Sequence, residues 1–142
     1  MAETFDLHSD FAKLDLVEDW DLCRVLLMED SYYPWLVLVP RRDGLRDFHD
    51  LEGADLQGAT AEIVKASKVL VNCFRPDKMN VAALGNQTPQ LHIHVIARFQ
   101  TDPAWPGPIW GKIPARPYDP VEREDLLVRL RGAIVEMENA EG

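Results

Sequence analysis

Two of the four histidines in this 142-residue chain, His92 and His94, stand two positions apart in Gln90-Leu91-His92-Ile93-His94-Val95-Ile96-Ala97-Arg98. Polar and apolar residues alternate here with the period of a β-strand. That period puts Gln90, His92 and His94 on one face and turns Leu91, Ile93 and Val95 toward a core. Alternate residues on a strand lie about 6.6 Å apart, so both imidazoles reach one small ligand. A neutral imidazole is a nucleophile near physiological pH when its second ring nitrogen is held by an acceptor. Directly upstream, residues 84–89 read Leu-Gly-Asn-Gln-Thr-Pro. Gly85 and Asn86 permit left-handed or nest-like backbone there, and the loop amides suit an anion. A phosphate site beside a nucleophile is the simplest chemistry that fits.

Two plainer readings stand beside it. A His-x-His pair can decorate a solvated sheet face, or two imidazoles can share a zinc ion. Zinc needs a third ligand, and His8, His49, Cys23 and Cys73 form no ligand-spaced cluster. No metal and no cofactor are therefore expected.

The same stretch resembles the signature of the histidine triad (HIT) family of nucleotide hydrolases and transferases, His-φ-His-φ-His-φ-φ with φ apolar. Gln90 stands at the first histidine, His92 at the second and His94 at the third. The likeness runs back through Asn80, the helical middle and the stretch from Pro34 to Pro40. It implies a hydrolase of the nucleotide phosphoramidase or dinucleoside polyphosphate type, with His92 attacking the α-phosphate to give a nucleotidyl-histidine that water then hydrolyses. By the same resemblance His94 donates to the phosphate or leaving group, and Gln90 supplies hydrogen bonds without ionising. Asn86 and Gln87 steady the non-bridging oxygens, Asp30 holds the ribose hydroxyls, and Asn80 faces the ligand. The implied ligand is a nucleotide, in particular a purine nucleotide, and the implied assembly is a homodimer that extends the sheet across a two-fold axis. Two rival classes remain: a nucleotide-binding protein whose catalysis is weakened by Gln90, and a partner-association protein with a vestigial pocket.

Lys and Arg total 15 against 24 Asp and Glu, a formal charge of −9. That sign disfavours nucleic acid as a main partner and an anionic membrane surface as a docking site. No apolar run approaches the roughly 18 residues of a membrane span, and the first ten residues carry neither a basic nor an apolar leader segment. The expectation is a soluble cytoplasmic protein whose two cysteines are buried free thiols.

The elements that must position the histidines follow from pattern. Residues 22–28 and 35–39 read as a hairpin around a turn at 29–33, with Trp35 packed on the sheet. Leu56, Ala59, Ile63, Ala66, Leu70 and Phe74 form the stripe of a helix stopped by Arg75-Pro76-Asp77, and residues 78–84 lead as a strand into the loop. Residues 102–111 form a loop stiffened by proline and carrying Trp105 and Trp110, which either covers the nucleotide site, crosses a dimer interface, or, as the plainer reading, plugs the main core. Asp119-Pro120 begins a second helix with Leu126, Leu127, Leu130, Ile134 and Met137 on its apolar side. The order predicts one α+β, HIT-like domain over 1–142. It has a mainly antiparallel sheet, a central helix, a C-terminal helix, an acidic lead at 1–10 and a frayed tail at 136–142.

Overall fold

The computed structural model describes residues 5–141. Runs rich in Val, Leu and Ile form five strands, β1 (Asp15–Asp19), β2 (Cys23–Leu27), β3 (Trp35–Pro40), β4 (Lys78–Ala82) and β5 (Ile93–Arg98). They make one antiparallel sheet in the order β1-β2-β3-β5-β4. Central β3 and β5 are buried along their whole lengths, because both sheet faces are covered. That explains why β3 reads as a continuous apolar run and not an alternating one.

Alternation still decides which core each side chain joins. Val25, Leu36, Leu38, Ile93 and Val95 point to the face covered by α2 (Gly53–Phe74) and α3 (Pro120–Glu141), where Ala66, Leu70, Leu130 and Ile134 meet them. Trp35, Val37, Val39 and Ile96 point the other way, into a second cluster with Phe11, Tyr33, Ala104 and Ile109. The short α1 (Ser9–Ala12) and the proline-stiffened loop close that second face.

Two buried ionic groups tie the layers together. Glu62, midway along α2, accepts from the backbone N–H of Leu22 (3.0 Å) and Cys23 (2.7 Å), satisfying donors at the start of β2. Arg98, at the end of β5, is 2% exposed. It forms a two-bonded ion pair with Asp102 (2.8 and 3.1 Å) and donates to Asn80 Oδ1 and the Gly107 carbonyl, both at 2.8 Å. α2 stops where the pattern predicts, at Arg75, which takes a left-handed conformation before Pro76.

Several boundaries differ from the sequence reading. β1 is an edge strand whose Asp15, Glu18 and Asp19 hid it among polar residues, and edge strands tolerate such charge. β5 begins at Ile93, three residues later than the alternation implied, so Gln90 and His92 sit on the segment leading into it. α3 continues through the tail expected to fray, with Lys65 Nζ on Glu138 at 3.2 Å tying it to α2. Of the acidic lead, residues 5–10 pack on the body, while residues 1–4, like Gly142, lie outside the described residues. No described helix is long and apolar enough to cross a membrane.

Candidate active site

His92 is held by its own approach segment. The Leu91 N–H donates to the Leu45 carbonyl at 3.0 Å, and His92 Nδ1 lies 2.7 Å from the Gln90 carbonyl. A carbonyl only accepts, so in the neutral ring Nδ1 carries the proton and the lone pair is on Nε2. Nε2 has no protein partner among the described residues. The Phe11 ring packs against the imidazole at 4.6 Å between centroids, leaving His92 5% exposed. Gly85 approaches from the loop side, where a Cβ would stand 3.0 Å from His92 Cε1 and 2.9 Å from the Thr88 carbonyl. Only glycine lets the loop run this close without a shift.

His94 is locked in the opposite sense. Register places Val37 opposite His94 and Trp35 opposite Ile96, so Trp35 and His94 are diagonal neighbours on one face. Trp35 Nε1–H, a donor only, meets His94 Nδ1 at 3.0 Å. His94 Nε2 lies 3.2 Å from the Leu84 carbonyl and must therefore carry the ring proton. Burial and the neighbouring His92 pull its pKa down to about 4, against the opposing pull of the Leu84 carbonyl. The two imidazoles stand nearly perpendicular with centroids 4.9 Å apart. With both ring nitrogens engaged, His94 is not poised to donate to a phosphate or leaving group, contrary to the expectation from the signature.

Two adjoining cavities share His92, Gly85 and Asn86. One, of about 520 Å³, has Phe11, Leu14, Met28 and Trp110 as apolar walls, with Lys13 and Gln87 at its edge. The other, of about 370 Å³, is predominantly polar and is bounded by Arg46 and Asp47. A larger groove of about 630 Å³ lies between the β1–β2 turn and α2, around Trp20, Glu62 and Lys65, and contains neither histidine. His92 therefore opens onto both of the smaller cavities and His94 onto the one of about 520 Å³. Cys23 is no rival nucleophile, because burial and the Glu62 carboxylate push its thiol well above the usual range.

Of the residues singled out from sequence, Asn86, Gln87, His92 and His94 are brought together. Asp30 is not: its carboxylate accepts from the backbone N–H of Tyr32 (3.1 Å) and Arg116 (3.3 Å), closing the turn before β3. Asn80 lies on the right sheet face but is held by Arg98, two residue pairs along β4 from the rung opposite His94. Gln90 lines neither cavity, and both ends of its amide are held by the backbone of Asp6 and His8. Trp110 stands 5.2 Å from the His94 ring and 6.0 Å from Trp35, so the tryptophan loop covers the histidines and does not fill the main core. Pattern reasoning missed Phe11 and Lys13, whose segment is too short and polar to show periodicity. Trp35 was placed on the sheet, but its bond to His94 depends on a cross-strand register that sequence does not print.

The match to known proteins bears on the same residues. The family model described as HIT domain matches residues 12–101. A histidine triad protein from Marinobacter aquaeolei VT8 is 42% identical with a TM-score of 0.88, the match covering 93% of this chain and 97% of that one. One from Bradyrhizobium japonicum is 39% identical, also at 0.88, covering 92% and 98%. One from Sinorhizobium meliloti 1021 is 35% identical at 0.88, covering 92% and 97%. Among curated proteins no relative matches the chain. The five-stranded antiparallel sheet with its helices is the α+β fold of these structures.

Proposed function

The chain belongs to the histidine triad family, and on that premise we propose that it is a nucleotide hydrolase of the phosphoramidase or dinucleoside polyphosphate type, acting through a nucleotidyl-His92 intermediate. The observation that carries the reading is the 2.7 Å contact of His92 Nδ1 with the Gln90 carbonyl, which leaves the Nε2 lone pair on the cavity shared with the 84–89 loop. Nε2 attacks the α-phosphorus, the bond from phosphorus to the leaving oxygen or nitrogen breaks, and the leaving group takes its proton from water. The ring becomes cationic as the bond forms. Its Nδ1–H then donates more strongly to the Gln90 carbonyl, so that contact favours the transition state over the ground state. Water next attacks phosphorus, the P–N bond breaks, and a nucleoside monophosphate leaves. In this reading Asn86, Gln87 and the loop amides, which line the same cavity as His92, steady the non-bridging oxygens. The apolar walls of the larger cavity suit a nucleoside, purine in our reading.

A homodimer is part of the same proposal. β4 lies at the sheet edge with Val81 48% exposed, which suits continuation of the sheet into a second copy. Light scattering across a dilution series tests this.

The engagement of both His94 nitrogens favours a second reading, a nucleotide-binding protein with feeble turnover. Incubation with adenosine phosphoramidate and a dinucleoside polyphosphate, followed by a denaturant quench at alkaline pH and intact mass measurement, separates the two. The first reading gives product and a nucleotide adduct that is absent in His92→Ala. Binding without product or adduct supports the second.

A further inference from the structure

We infer that Gln90 is a positioning residue for His92: it clasps the N-terminal segment across the site so that Phe11 fixes the plane of the His92 ring. This deepens the proposed function and rests on His92 being the reacting group.

Every link is a short contact. Gln90 Oε1 accepts from His8 N–H at 2.8 Å, and Gln90 Nε2 donates to the Asp6 carbonyl at 3.0 Å, so a single amide binds the segment as a neighbouring β-strand would. Three residues on, Phe11 is 4% exposed, packed with Trp35, Val37 and Ile96 and tilted 57° against His92. His8 Nδ1 caps α1 through Asp10 N–H at 3.0 Å, and Asp10 Oδ2 accepts from Thr88 Oγ1 at 2.7 Å, fastening the same segment to the 84–89 loop. Gln90 therefore holds His92 twice. Its main-chain carbonyl sets the tautomer, and its side chain holds the segment whose aromatic ring limits the imidazole's rotation.

The chemistry explains why an amide suits this position. Gln presents a donor and an acceptor side by side, matching a backbone N–H and C=O two residues apart. Glutamate lacks the donor, and the two nitrogens of an imidazole diverge, so a histidine satisfies one backbone group and leaves the other. The substitution at the head of the signature thus serves an anchoring task.

The test uses full-length Gln90→Ala, Gln90→Glu and Phe11→Leu. Nitrogen-15 correlation spectra of the histidine rings should show a single Nδ1–H tautomer for His92 in the wild type and, in all three variants, averaged signals as the loosened ring turns away from the main-chain carbonyl of residue 90, which every variant keeps. Turnover should fall about tenfold or more through kcat, with KM for the nucleotide changed less than about threefold. Unchanged ring spectra and kcat in Gln90→Ala overturn the inference, as does a fall in melting temperature with His92 still in one tautomer. If the wild type binds AMP calorimetrically but turns nothing over, the hydrolase reading fails by itself, and the ring spectra still decide the role of Gln90.

Discussion

The indole N–H of Trp35 points at Nδ1 of His94 over 3.0 Å and, with the Leu84 carbonyl at Nε2, fixes the tautomer of the second histidine in the site. Protonating Nδ1 would set two donors against each other. Trp35→Phe keeps the ring contact but removes the donor, so the His94 pKa should rise from about 4 by roughly one unit, the scale of one lost hydrogen bond. Titration of the His94 ring by NMR measures this, and an unchanged value would leave burial and the neighbouring His92 as the causes.

Gly85→Ala tests the approach of the loop to His92, the proposed nucleophile. A Cβ at Gly85 meets the Thr88 carbonyl at 2.9 Å and His92 Cε1 at 3.0 Å, so either the loop or the ring must move. Displacing reacting atoms by a fraction of an ångström should lower kcat by about tenfold to a hundredfold. A crystal structure of the variant would show which group yields.

Asn86 borders both cavities, and in the proposed mechanism its side chain donates to a non-bridging oxygen. Asn86→Ala should raise the barrier by about 1 to 3 kcal/mol, with kcat losing more than nucleotide affinity. Equal losses in both would mean uniform binding. No loss in either would return Asn86 to a purely structural role.

Much of this architecture was legible because the alternation that pairs His92 with His94 also sorts the two cores. β2 and β3 follow from their apolar runs, α2 from its period and the stop at Arg75 from proline. The misplaced residues share a physical cause. Asp30 in the turn after β2, Asn80 in the middle of β4 and Gln90 on the approach to β5 are polar residues for which a backbone N–H, a buried guanidinium or the N-terminal segment competes. Their sequence neighbours give no sign of which partner wins. Phe11 and Trp110 reach the site from segments remote in sequence, and no local period encodes such a contact.

Asp102→Ala should be among the most destabilising single changes in the chain. Arg98 and Asp102 are 2% and 3% exposed, and removing the carboxylate leaves a buried guanidinium with Asn80 Oδ1 and the Gly107 carbonyl as its hydrogen-bond acceptors among the described residues. Breaking such a pair costs about 3 to 5 kcal/mol. The Tyr33 ring, 5.7 Å from the guanidinium, should lose its packing as the tryptophan loop loosens. Chemical denaturation measures the loss, and a cost below that of an exposed pair would place the anchor of this loop elsewhere.

The dependence of stability on pH should show two groups in succession as the solution is acidified. His94 is held down to about 4 from an ordinary 6.5, so in this interval the unfolded chain takes up a proton that the folded chain refuses. Stability from this group is complete above 6.5 and is lost as pH falls toward 4. Asp102 acts next. Burial alone would raise its pKa, but the bond from Arg98 and the N–H groups of Phe99 and Ala104 outweigh burial and hold it below the ordinary carboxylate value. Its contribution is present above the unfolded value of 3.8 and is lost below it, where the unfolded chain again binds the extra proton. Urea unfolding between pH 7.5 and 4.5 should therefore show a fall that belongs to His94. In His94→Gln the amide can accept from Trp35 and donate to the Leu84 carbonyl without titrating, so the part of the slope due to His94 should disappear while the loss below pH 4 remains. Equal slopes in the two proteins between pH 6.5 and 4.5 would show that His94 does not carry the first step.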